Sequence, residues 1–167
     1  MNQSSQDRLK LVFPVLSDKI YKLSTLLAAE DIYIAVVQGL RTVAEQDALF
    51  AKGRDAEGNV INRAKVVTNA RGGHSWHNFG LAVDCAPVDA TGKIDWNPQH
   101  PQWKRMEELG MSLGLTSGAN WIRLADAPHL QLTGRFPAGA PDDEVRALYA
   151  KGGLQAVWTE VESSLPA

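Results

Sequence analysis

An aspartate stands in the middle of the apolar run LAVDCA, residues 81–86. Asp is depleted from strands and rarely buried without a partner, so a strand here obliges the fold to pair Asp84 inside the protein. The run is entered through Gly80, closed by Pro87 and preceded by GGHSWHNFG, which carries two histidines and a serine. A glycine allows a tight reversal, so the strand can return the Asp84 carboxylate towards His77. Along a strand Ala82 and Asp84 share one face and Cys85 takes the other, which makes Cys85 a packing residue.

Cys85 is the one cysteine in 167 residues, which excludes an internal disulfide and a cysteine-rich zinc framework. Metal ligands must then be His, Asp or Glu, and His74, His77, Asp84 and His129 are ingredients that could build a site, with Asp126 nearby. A catalytic zinc needs three protein ligands and an open fourth position. The segment DAPHLQL offers a ligand distant in sequence: Pro128 favours an extended approach, and His129 then opens a strand, which fixes an imidazole better than a loop does. Asp126, three residues upstream, is placed to face a metal without binding it. There it can take a proton from water and pass it to a leaving amine. A histidine beside a glycine-rich turn is by itself most often structural, and Asp-x-Pro-His alone is a weak pattern. The combination carries the argument.

The remaining sequence describes one domain of ordinary composition, 44% hydrophobic and 22% charged, which is long enough to bury a core. Residues 5–29 read as helical, with a break before Pro14 and apolar positions at Leu16, Ile20, Leu23, Leu26 and Leu27. IYIAVV (32–37) reads as a buried strand, and TVAEQDALFAKG as a helix with a Thr42/Glu45 capping box that stops near Gly53. Residues 54–74 read as loop, 81–86 as a second strand, 101–113 as a helix, HLQLTG from His129 as a third strand, and two helices close the chain. Val145, Leu148, Leu154, Val157 and Trp158 should pack those last helices. Helices around a few scattered strands make the class α+β. A net charge of −2, with no basic cluster interleaved with aromatics, gives no footprint for nucleic acid. No apolar run approaches a membrane span.

SWHNFGLAVD resembles the Ser-x-His-x-x-Gly-x-Ala-x-Asp signature of the zinc D-alanyl-D-alanine metallopeptidase family, and DAPHLQL resembles that family's Asp/Glu-x-x-His signature. The likeness continues through QGLRTVAEQDALFAKGR upstream and GLTSGANW downstream, covering about residues 30–133, and it is nearest to the L-alanyl-D-glutamate endopeptidase branch. The resemblance implies a hedgehog/DD-peptidase-like α+β fold, with a small antiparallel sheet flanked by helices. It also implies one Zn²⁺ held by His77, Asp84 and His129, with Asp126 as catalytic base. Arg41, Gln46 and Ser75 match residues that line the substrate cleft of similar enzymes. Arg41, at a strand-to-helix turn, can clamp a carboxylate bidentately. His74 matches no ligand position and is expected to neighbour the site. Trp76 and Trp121 are candidate cleft walls, with core packing the default expectation for Trp121 as for Trp103 and Trp158, and a rim position is expected of Trp96.

The function implied is zinc-dependent hydrolysis of the L-Ala–D-Glu bond in the peptidoglycan stem peptide. A D-Ala-D-Ala carboxypeptidase or dipeptidase, and a non-catalytic zinc-binding module of the same fold, are the alternatives. The expected organisation is a single domain over 1–167, with a catalytic core of about 30–133 and C-terminal helices over 135–167, acting as a monomer. MNQSSQDRLKLVFPVL has no signal-peptide pattern, so cytoplasmic synthesis is expected, with access to the wall in a phage or prophage endolysin setting after holin-mediated release.

Overall fold

The computed structural model of the chain describes residues 1–119, 121 and 125–166. Asn120, in the GLTSGANW stretch, and Ala167 lie outside the described residues. Helix α1 (Gln3–Leu9) is capped by the Asn2 side chain, which accepts from Ser5 N, and α2 (Pro14–Ala28) opens on a proline at its first turn. Leu16, Ile20, Leu23 and Leu27 are buried as their spacing predicts, whereas Leu26 is on the outer face. Strand β1 (Tyr33–Gln38) leads into α3 (Val43–Phe50), whose start carries the expected capping box: Thr42 Oγ1 accepts from Glu45 N, and Glu45 Oε2 accepts from Thr42 N. Then come β2 (Ala82–Val88), α4 (Pro101–Ser112), β3 (Thr116–Ser117), β4 (His129–Gln131) and α5 (Asp143–Ser163). Non-helical backbone at Gly152 and Gly153 divides α5 into the two segments read from the sequence.

The sheet is antiparallel with strand order β1-β2-β4-β3. This is the α+β class expected, with two differences in the strands. Strand β2 does not stop at Pro87 but runs through it to Val88. The missing N–H is tolerated because β4 pairs no further along β2 than Asp84, opposite His129, so Pro87 needs no ladder bond on that side. Strand β3 is additional to those foreseen, and two residues are too few to give a period in sequence.

Register explains how the site is assembled. Directly paired residues share a face, so Val83, Cys85, Val36 and Leu130 point together. Leu130 lies against Gly110 of α4, which in turn adjoins Leu23 of α2, so this is the helix-covered face and the hydrophobic core. The alternate residues Ala82, Asp84, His129 and Gln131 share the opposite face. Strand β1 bulges between Val36 and Gln38 beside Asp84, which breaks the ladder and frees the backbone that follows. No helix among the described residues is long and apolar enough to cross a membrane.

Candidate metal centre and cleft

His77 comes from a short 3-10 turn, Trp76–Phe79, that ends at Gly80 in the left-handed region (φ 65°). Phe13 N donates to Gly80 O at 2.9 Å, fixing this turn to the α1–α2 break. Asp84 lies mid-strand in β2 with His129 directly opposite it. The three side chains converge: His77 Nε2 is 3.2 Å and His129 Nδ1 3.5 Å from Asp84 Oδ1, and the two imidazole nitrogens are 3.3 Å apart. In a tetrahedral site with metal–ligand bonds of ~2.0 Å, ligand atoms are separated by about 3.3 Å. Asp84 Oδ1, at one corner of the triangle, is buried and accepts no hydrogen bond, so the carboxylate keeps an unsatisfied lone pair there. The three residues fit a divalent metal bound by nitrogen and oxygen.

The outward nitrogens of both rings are held by groups that fix their tautomers. His77 Nδ1 is 2.9 Å from Gly39 O, a carbonyl that can only accept, so Nδ1 carries the proton and Nε2 presents a lone pair. Gln131 Nε2 donates to Ala138 O at 2.7 Å, which turns Gln131 Oε1 to His129 Nε2 at 2.9 Å. His129 therefore presents Nδ1 to the centre. Gly39, the first residue beyond β1, and Gln131 were not foreseen. Gln131 was detectable, since i,i+2 alternation in HLQ places it on the face of His129.

The charges are strongly coupled. Burial would raise the Asp84 carboxyl, but His77 and His129 outweigh it and hold it below the ordinary carboxylate range. Burial would lower His129, but Asp84 and Gln131 raise it above the ordinary imidazole value. Asp126 is raised by burial and by the Asp84 charge, against the pull of His129, His77 and Arg41. Burial pushes the Cys85 thiol well up, consistent with an inert packing residue. Gly118 sets the position of Asp126: Gly118 O accepts from Asp126 N and Gly118 N donates to His129 O, both at 2.9 Å. A Cβ at Gly118 would lie 2.7 Å from Asp126 O and 2.9 Å from His129 Cβ, so the approach requires glycine.

Arg41, Ser75, His77, Asp84, Asp126 and His129 line one cleft of about 810 Å³. Arg41 Nη2 is 3.8 Å from Asp84 Oδ2 and Nη1 donates to Gln46 Oε1 at 2.8 Å. Gln46, expected in the cleft lining, is instead wholly buried, and its amide donates to Ala70 O at 2.8 Å. It couples Arg41 to the 68–70 loop from beneath. Asn78 couples Arg41 to Gly73 instead, donating to Arg41 O and accepting from Gly73 N. His74 is on the cleft rim, 3.4 Å from Arg146 Nη1 of α5 and outside the metal triangle.

The tryptophans depart in part from expectation. Trp121 is half-buried in the cleft, its ring 4.8 Å from that of His129, so it is a wall and not a core residue. Trp76 is buried against Phe79 and Phe136, although one edge reaches the cleft. Trp103 is in the core, Trp158 packs on Phe13 and donates to Phe79 O, and Trp96 is exposed.

A family model described as VanY, D-alanyl-D-alanine carboxypeptidase, matches residues 11–135. The chain belongs to the VanY family. A relative of this VanY-family chain, the peptidoglycan L-alanyl-D-glutamate endopeptidase CwlK of Bacillus subtilis, is 33% identical over 126 residues, covering 71% of this chain and 72% of the relative. Among solved structures, the Serratia marcescens L-Ala D-Glu endopeptidase ChiX is similar with a TM-score of 0.52 at 24% identity, covering 81% of this chain and 90% of that one. The vancomycin-resistance D,D-pentapeptidase VanY, solved in complex with Zn(II), is similar with a TM-score of 0.52 at 17% identity, covering 84% of this chain and 80% of that one. Both structures share the fold.

Proposed function

We propose that this chain is a zinc-dependent peptidoglycan hydrolase that cleaves the L-Ala–D-Glu amide bond of the stem peptide. The observation that carries the reading is the His77–Asp84–His129 triangle, whose edges have tetrahedral spacing, in one cleft with Asp126 and Arg41. The likeness to CwlK supports the choice of bond. A single zinc ion bound by His77 Nε2, Asp84 and His129 Nδ1 would supply a Lewis acid that acidifies water and polarises a peptide carbonyl.

The chain's own residues supply the rest. Asp126 accepts the proton of the attacking water and delivers it to the amine nitrogen as the C–N bond breaks. Its raised pKa suits a group that must both take and give that proton. Arg41 is charged throughout the neutral range, and its N–H groups not used by Gln46 are free to bind a substrate oxygen in the cleft. Gln46 is a positioning residue for Arg41. Ser75 is on the cleft wall beside His77, a position from which it would contact the bound peptide.

Mass spectrometry of purified peptidoglycan, digested with and without a zinc chelator, tests the reading. Chelator-sensitive release of peptides beginning at D-Glu is expected. The family description favours one other outcome, loss of terminal D-Ala alone, which would reassign the chain as a carboxypeptidase. No cleavage despite stoichiometric zinc would leave a non-catalytic zinc module. Asp126→Asn should keep the metal while lowering kcat by about 10²–10⁴-fold; near-full turnover would overturn the role of Asp126.

A further inference from the structure

The cleft continues beyond the metal triangle along Phe50 and the 67–71 loop and reaches Arg71. The Arg71 guanidinium lies 4.5 Å from the centroid of the Phe50 ring, and that of Arg54 lies 4.1 Å from the same centroid. The two differ in how they are held. Arg54 is anchored, donating from Nη1 to Phe50 O at 2.6 Å and from Nη2 to Asn69 Oδ1 at 3.0 Å. Arg71, among the described residues, makes neither a side-chain hydrogen bond nor an ion pair, and it is exposed. Its position is set by the ring and by the backbone at Gly58, where a Cβ would lie 2.7 Å from Arg71 Nη2.

Two cations beside one ring repel each other, and among the described residues neither has a carboxylate partner. Residues 52–71 hold five Lys or Arg against two acidic residues, in a chain whose net charge is −2. A guanidinium offers five N–H donors in a planar fork that matches a carboxylate, and stacking on a ring orients that fork without consuming the donors. A group arranged this way at the end of a substrate cleft is a preformed anion subsite.

We propose that Arg71, held by Phe50 and backed by Arg54, is a specificity-determining residue that binds a substrate carboxylate remote from the scissile bond. The proposal rests on the peptidoglycan reading above, since stem peptides carry such carboxylates on the D-Glu residue and at the C-terminus. Arg41 serves the metal end of the cleft and Arg71 the other end. A peptide lying along the cleft is thereby held at two points, and a substrate that lacks the remote carboxylate loses one of them.

The test uses the zinc-loaded protein, its Arg71→Gln and Arg71→Lys variants, and the synthetic peptide L-Ala-γ-D-Glu-L-Lys-D-Ala. Three forms of the peptide are needed: the free acid, the D-Glu α-amide and the C-terminal amide. Affinity is measured by titration calorimetry and turnover separately by chromatography. Arg71→Gln should weaken free-acid binding about tenfold, the scale of a charged hydrogen-bonded contact, raising KM with kcat little changed. Amidating the carboxylate that Arg71 binds should produce the same loss in wild type and make Arg71→Gln silent, so the arms identify which carboxylate it is. Arg71→Lys should retain part of the affinity. Equal affinity of wild type and Arg71→Gln for the free acid, or equal loss for all three peptides, would overturn the subsite. Arg71-dependent binding without any cleavage would count against the hydrolase reading and leave the subsite standing; cleavage with no Arg71 dependence would do the reverse.

Discussion

Gln131 shows how much a single side chain can control. It is wholly buried, and it spans Ala138 O and His129 Nε2. Partners of this kind orient a metal-binding imidazole, and their loss typically lowers metal affinity by about 10–100-fold. Gln131→Ala should do so in a competition titration with a chromophoric chelator, while His77→Ala and Asp84→Ala should abolish stoichiometric binding. Affinity in wild type should also depend on pH, with a sign set by His129. Its pKa in the metal-free protein is raised, chiefly because Asp84 outweighs burial, so its Nδ1 proton must be displaced for metal to bind. Affinity is therefore greatest above that raised pKa. It should fall as pH drops through it, by about tenfold per unit for each proton displaced, starting above the ordinary imidazole value. A pH-independent affinity between pH 5 and 8 would contradict the coupling between His129 and Asp84.

Each residue of the site depends on the element that carries it. Strand pairing puts Asp84 opposite His129, the bulge in β1 frees Gly39 to reach His77, and the short strand β3 ends at the glycine that holds Asp126. Gly118→Ala would force a Cβ into Asp126 O and His129 Cβ, so β3 and β4 must separate. The expected result is destabilisation of roughly 1–3 kcal/mol, as for other overpacked sites, with a loss of activity larger than the loss of folded protein. Thr42→Ala acts on stability alone: removing one half of the α3 capping box should cost about 1 kcal/mol in denaturant titrations and leave the metal bound.

The whole molecule raises the question of where the functional unit ends. The family match stops at residue 135, yet α5 buries Val145, Val157 and Val161 completely, places Tyr149 on Phe79, and sends Arg146 to the cleft rim. Trp158 Nε1 donates to Phe79 O within the turn that carries His77. Helix α5 is thus packed directly on the turn that carries His77. Deletion of residues 141–167 should expose that turn and abolish a cooperative thermal transition by circular dichroism; a sharp transition near the full-length Tm would make α5 an accessory. The sequence by itself determined the helices and three of the four strands, and it singled out His77, Asp84, His129 and Asp126, which line one cleft, because periodicity, caps and motif spacing are local or recur in fixed order. It also marked Asp84 as a buried charge in need of partners. The tertiary structure alone decided that Gln46 lies beneath Arg41 and not in the cleft, that Trp121 is a cleft wall, and that Arg71 faces the cleft from the Phe50 ring. Gln46 and Arg71 depend on Ala70 and Phe50, 24 and 21 residues away, and Trp121 on where strand pairing carries the ring of His129; no local pattern in the chain encodes which side of such a contact faces solvent.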